Sequence, residues 1–97
     1  MTELYTFIME FRGGTYTSQV KASSIEDSLQ QWTKKLKLEM SQITFLGSTT
    51  LSEIEKHILG TDPEEQPIAL MGLTNIWFLS VYTNNGKAAI NIIKTAQ

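Results

Sequence analysis

Residues 4–22 read LYTFIMEFRGGTYTSQVKA, and this stretch decides the fold class. In its first half Tyr5, Phe7, Met9 and Phe11 alternate with Leu4, Thr6, Ile8 and Glu10, the period of two that a half-buried strand requires. Arg12-Gly13-Gly14-Thr15 follows, and two adjacent glycines supply the positive φ angles of a tight type I′ hairpin turn. A return strand is expected over 15–22. With Gly13 and Gly14 at the centre of the turn, Phe11 faces Tyr16, Met9 faces Ser18, Phe7 faces Val20 and Tyr5 faces Ala22, which makes one face largely apolar. The reverse face pairs Glu10 with Thr17, Ile8 with Gln19 and Thr6 with Lys21, and is mostly polar.

An apolar hairpin face needs a covering layer, and the next segment provides one. Ser23 stands three residues before Glu26, the spacing of a capping box that satisfies the first amides of a helix. Ile25, Leu29, Trp32 and Leu36 then recur at helical spacing, while Lys34, Lys35 and Lys37 favour the C-terminal end of the dipole. The stripe is expected to dock on the hairpin, so that Phe7, Phe11, Val20, Ile25, Leu29, Trp32 and Leu36 share a core. A short β-like run over 42–47 contains Ile43, Phe45 and Leu46. Thr50 and Glu53 repeat the capping-box spacing before a second stripe of Leu51, Ile54 and Ile58, and Gly60 offers a C-terminal stop. Residues 61–67 hold two prolines and three acids and read as an exposed, flexible loop.

The last third predicts an extended piece over 68–71, a break near Gly72, and a second hairpin. Residues 75–83 are rich in β-formers, Asn85-Gly86 is a turn dipeptide, and 88–95 returns. In that register Val81 faces Ile90 and Leu79 faces Ile92, leaving Phe78 and Ile93 on the reverse side. The segment 88–95 carries no charge before Lys94 and no proline, so it lacks the features that protect a sheet edge. The expectation is that it pairs across the interface of a homodimer. Residues 1–97 thus read as a single small α+β domain, a mainly antiparallel sheet of N-terminal and C-terminal hairpins with two helices on one face. The order of the strands is not legible.

Composition narrows the function. The 41% of hydrophobic and 19% of charged residues are ordinary globular values, which excludes a disordered or fibrous chain. The chain has no cysteine, which removes thiolate ligands and nucleophiles and fits a cytoplasmic protein. Its N-terminus is acidic where an export signal is basic, and its apolar runs, 68–73 and 76–79, fall far short of the roughly 20 residues that span a bilayer. His57 is the single histidine; with Glu53 one turn earlier it supplies two ligands, where zinc takes three or four, so it reads as a solvated helix residue. No nucleophile turn accompanies it, and Gly13-Gly14 leads into a strand rather than a phosphate-binding helix N-terminus. Arg12, Lys21, Lys34, Lys35 and Lys37 are too few in a chain of net charge −2 to favour nucleic acid, and Tyr5, Tyr16 and Trp32 fall on positions the core needs. No cofactor is expected.

The negative charge is concentrated. Between 39 and 66 there are six acids, Glu39, Glu53, Glu55, Asp62, Glu64 and Glu65, against Lys56 alone. The reading that follows is a non-catalytic protein-binding module, of inhibitory or immunity type, that presents its acidic middle to a basic target. Its candidate partner-binding residues are Glu53, Asp62, Glu64 and Glu65, with Phe78 and Ile93 as the apolar component. The alternatives are a homo-oligomeric structural or accessory protein and a small enzyme whose site forms between subunits.

Overall fold

The computed structural model describes residues 2–43, 46–58, 60, 68–69 and 74–95, with backbone only at 68–69. In chain order the elements are β1 (Glu3–Phe11), β2 (Gly14–Ala22), α1 (Ile25–Glu39), a 3-10 turn (Met40–Gln42), α2 (Ser48–Ile58), β3 (Ile68–Ala69), β4 (Ile76–Thr83) and β5 (Gly86–Thr95). The strands form one antiparallel sheet in the order β2-β1-β5-β4, extended beyond β4 by the two-residue β3. Both helices lie on one face. The α+β architecture is the one the alternation predicts.

Both hairpins turn one residue earlier than expected. In the first, Arg12 and Gly13 take left-handed φ values of 51° and 82°, the type I′ pattern, and Phe11 pairs with Gly14. A Cβ at Gly14 would lie 2.6 Å from the Tyr16 hydroxyl, so a larger residue there would have to displace that ring. In the second, Thr83 pairs with Gly86 and the turn is Asn84-Asn85, with Gly86 at φ 112°. The Thr83 hydroxyl holds this turn, accepting from the Asn85 amide at 3.1 Å and donating to the Gly86 carbonyl at 2.7 Å. Each pairing therefore shifts by two residues. A shift of two leaves every side chain on its expected face.

Strand order carries the main correction. The segment 88–95 does not pair across a subunit interface: β5 lies inside the sheet of its own chain, bonded to β1 on one side and β4 on the other. Its lack of charge is that of an interior strand, whose amides and carbonyls already have partners.

The row that crosses the sheet under the helices is Ser18, Phe7, Ile92 and Trp77, one residue from each of β2, β1, β5 and β4, with Phe7 and Ile92 fully buried. Trp32 of α1 lies flat on Phe7, with centroids 4.9 Å apart and planes 6° from parallel, and both rings are almost fully withdrawn from water. Leu29 and Leu36 bury beside it, and Ile25 packs against the same cluster. The helix is capped by Ser24 rather than by the predicted Ser23, the Ser24 hydroxyl accepting the Asp27 amide at 3.1 Å. The Asp27 carboxylate in turn accepts from the residue before the cap, the Ser23 amide at 2.9 Å, rather than completing a capping box with Ser24. That amide, and next the Gln31 side chain, hold the Asp27 carboxyl below its usual range. Its share of helix-start stability is present above the unfolded aspartate pKa and is lost as pH falls through the folded one.

The β-like run expected over 42–47 is not a strand among the described residues. Gln42 ends the 3-10 turn, the Ile43 amide donates to Met40 and the Leu46 amide to Ile43, and Ile43 and Leu46 reach the core from these tight bonds. Residues 44–45, the loop 61–67 and most of the extended piece 68–71 with its break near Gly72 lie outside the described residues. α2 begins at Ser48, ahead of the predicted Thr50 cap. Thr50 and Glu53 instead fasten the helix to the β4–β5 turn. The Thr50 hydroxyl donates to Asn84 Oδ1 at 2.7 Å and accepts from Asn85 Nδ2 at 3.0 Å, and the Glu53 carboxylate accepts the Asn84 amide at 3.2 Å.

Replacing Trp32 by alanine should cost about 3–5 kcal/mol, the usual range for a large aromatic removed from a packed core. Urea unfolding followed by far-ultraviolet circular dichroism measures it. A loss below about 1 kcal/mol would contradict the packing.

Candidate functional site

Among the described residues, the two-layer arrangement puts helices on one face of the sheet and leaves the other bare of them. On β1 the bare face carries Leu4, Thr6, Ile8 and Glu10; on β5 it carries Lys87, Ala89, Asn91, Ile93 and Thr95. On β4 the same face carries Ile76, Phe78, Ser80 and Tyr82. Two rows hold most of its apolar surface. One runs Gln19, Thr6, Ile93, Ile76, and the next runs Thr17, Ile8, Asn91, Phe78. Ile8, Ile76, Phe78 and Ile93 are half-buried, and Tyr82 at the end of the face is 69% exposed.

The face is graded. Towards β2 it is polar, with Thr15, Thr17, Gln19 and Lys21 exposed. Gln19 Nε2 donates to the Thr6 hydroxyl at 3.0 Å, and that hydroxyl shares a hydrogen bond of 3.3 Å with Thr95, so an ordered polar seam borders the isoleucines.

The expected site residues divide between two places. Phe78 and Ile93 come together on the bare face, on adjacent strands and diagonal to each other across the Ile76–Ile93 pair. Glu53 sits in the helix layer, its carboxylate engaged by the Asn84 amide. Asp62, Glu64 and Glu65 lie outside the described residues. Leu4, Ile8 and Ile76 join the apolar patch without having been singled out in the sequence. Their parity is legible there, but their neighbourhood depends on the β1–β5 pairing.

Two other features were considered. A groove of about 500 Å³ between α1 and α2 has Leu29 and Ile58 on its floor and Glu26, Lys34, Lys37 and Glu55 on its rim. It is open, and its charges point to solvent rather than converging on a buried point. Among the described residues no group of three histidine, cysteine or acidic side chains could hold a metal ion, and no helix is long and apolar enough to cross a membrane. Comparison with known proteins finds no matching family model, and no curated protein or solved structure with significant similarity.

Adjacent residues of opposite parity give the direct check. Ile93→Lys should change stability by no more than about 1 kcal/mol, since a lysine on a half-exposed face carries its charge to water. Ile92→Lys, at a position with no exposure, should abolish cooperative folding by burying an unpaired charge. Equal effects in thermal melts of the two variants would mean that the two faces are not distinguished as described.

Proposed function

We propose that the chain is a non-catalytic protein-binding module whose docking surface is the bare face of its sheet. One observation carries this reading: an apolar patch of Leu4, Ile8, Ile76, Phe78 and Ile93 crosses three strands on the face that has no helix among the described residues. Contiguous apolar surface of this kind is costly to leave in water and is kept where a partner covers it. The polar seam of Gln19, Thr6 and Thr95 supplies a border with fixed hydrogen-bonding groups, the usual surround of an apolar contact centre.

The acids between 39 and 66 add a second element to the reading. A local excess of five negative charges attracts a basic target over distance and speeds encounter, while the apolar face holds the complex once formed. This division of labour suits an inhibitory or immunity-type protein, and a chain without cysteine suits the cytoplasm.

The experiment has two arms on one stoichiometric heteropartner isolated with the tagged chain. Ile8→Lys combined with Ile93→Lys should weaken the complex by about 30-fold or more through faster dissociation, the scale of an interface hot spot. Replacing Asp62, Glu64 and Glu65 together by their amides should slow association at low salt and leave dissociation unchanged. A partner whose affinity is indifferent to the two lysines would overturn the docking face, and unchanged association kinetics would remove the acids from the mechanism.

A further inference from the structure

Beyond the bare face, a second unpartnered surface is the outer edge of β2. β2 ends the sheet, and no other strand of the described residues lies beyond it. Phe11 and Gly14 flank a two-residue turn and so form a hydrogen-bonded pair; alternation then turns the amides and carbonyls of Thr15, Thr17, Gln19 and Lys21 away from β1. Lys35 of α1 supports this assignment, because its ammonium reaches over the edge to the Gln19 carbonyl at 2.9 Å. All nine residues of β2 pair with β1 in unbroken register, so the edge is straight, and it holds neither proline nor bulge. A long regular edge recruits another strand, and here Lys35 guards it at the Gln19 carbonyl.

We propose that the chain forms a two-fold dimer through antiparallel pairing of β2 with the β2 of a second copy, centred on Ser18. Only this register pairs all nine residues. It sets Thr17 opposite Gln19 and Thr15 opposite Lys21 as hydrogen-bonded pairs, so the one charge of the strand meets a threonine and no like charges oppose. On the helix side Tyr16 meets Val20, an aromatic with a β-branched residue, a favourable cross-strand combination. Pairing within the plane keeps both helix layers on the same side, which brings the two α1 flanks together. That flank carries Gln31, Lys35 and Leu38 at spacings of four and three, and Leu38 is 83% exposed in the single chain. Leu38 is thereby brought to the seam between the two α1 helices. The Gln19 carbonyl has two lone pairs and can accept the Thr17 amide of the second copy beside or in place of Lys35. The dimer's bare faces remain open, so this inference stands or falls separately from the docking reading.

The absence of cysteine makes the test clean. Ser18 meets its own counterpart as a non-hydrogen-bonded pair with Cα atoms about 4.5 Å apart, within disulfide reach. Ser18→Cys should therefore cross-link to a covalent dimer under mild oxidation. Thr15→Cys should not, since two Thr15 residues lie six positions apart along the joint ladder, roughly 20 Å. By light scattering the wild type should have twice the chain's mass at high micromolar concentration. Thr17→Pro removes one outward amide that the monomer does not use, and should give a folded monomer. A monomeric wild type, a Thr17→Pro variant that is folded and still dimeric, or equal cross-linking through positions 15 and 18 would each overturn the proposal.

Discussion

The indole of Trp32 lies flat on the ring of Phe7, and the placement of nearly every other side chain in the sheet depends on that contact. Once Phe7 points at α1, alternation sends Tyr5, Met9 and Phe11 the same way and Leu4, Thr6, Ile8 and Glu10 the other. Pairing carries the choice across the sheet: Ser18 and Ile92 stand opposite Phe7, and Trp77 stands opposite Ile92. A slip of one residue anywhere in this ladder would bring Asn91 and Ile93 under the helices and expel Ile90 and Ile92. The central position of β1 makes this one stack govern two layers and four strands.

The same alternation explains how much of the molecule is legible in its sequence. Faces are legible because they depend only on parity, and an error of two residues in a turn does not alter them. Turn position is less so. At Arg12-Gly13-Gly14 either pair of residues fits a type I′ turn, and nothing local in the sequence separates the two. At the helix start two adjacent serines precede two adjacent acids, so Ser23 with Glu26 and Ser24 with Asp27 fit the same spacing. Thr50 and Glu53 have capping-box spacing yet act on Asn84 and Asn85, a contact that spans more than thirty residues and leaves no local trace.

Strand order is the property that sequence alone withholds, and the site inherits its obscurity. β1 and β5 are the first and last strands, both apolar, and nothing near either names the other as its neighbour. A segment 88–95 with no charge before Lys94 fits the interior of a sheet as well as it fits a subunit interface, and β1 settles the matter by occupying one side of it. Ile8 therefore lies near Phe78 and Ile93, although more than sixty residues separate them. The patch is a product of topology. Phe78 and Ile93 could be placed on a common face from the hairpin, but the extent of that face could not.

What distinguishes this chain is the unequal treatment of its two sheet faces. One receives two helices and almost all of the core; the other keeps the five apolar side chains of Leu4, Ile8, Ile76, Phe78 and Ile93 and an ordered polar seam. Solvent paramagnetic relaxation of the methyl groups in the free protein measures this division most directly, because it reports each isoleucine's distance from water. The account predicts strong relaxation at Ile8, Ile76 and Ile93 and almost none at Ile54, Ile90 and Ile92. Shielding of Ile8 and Ile93 equal to that of Ile90 would contradict it, showing that the face is already covered and not available to a partner.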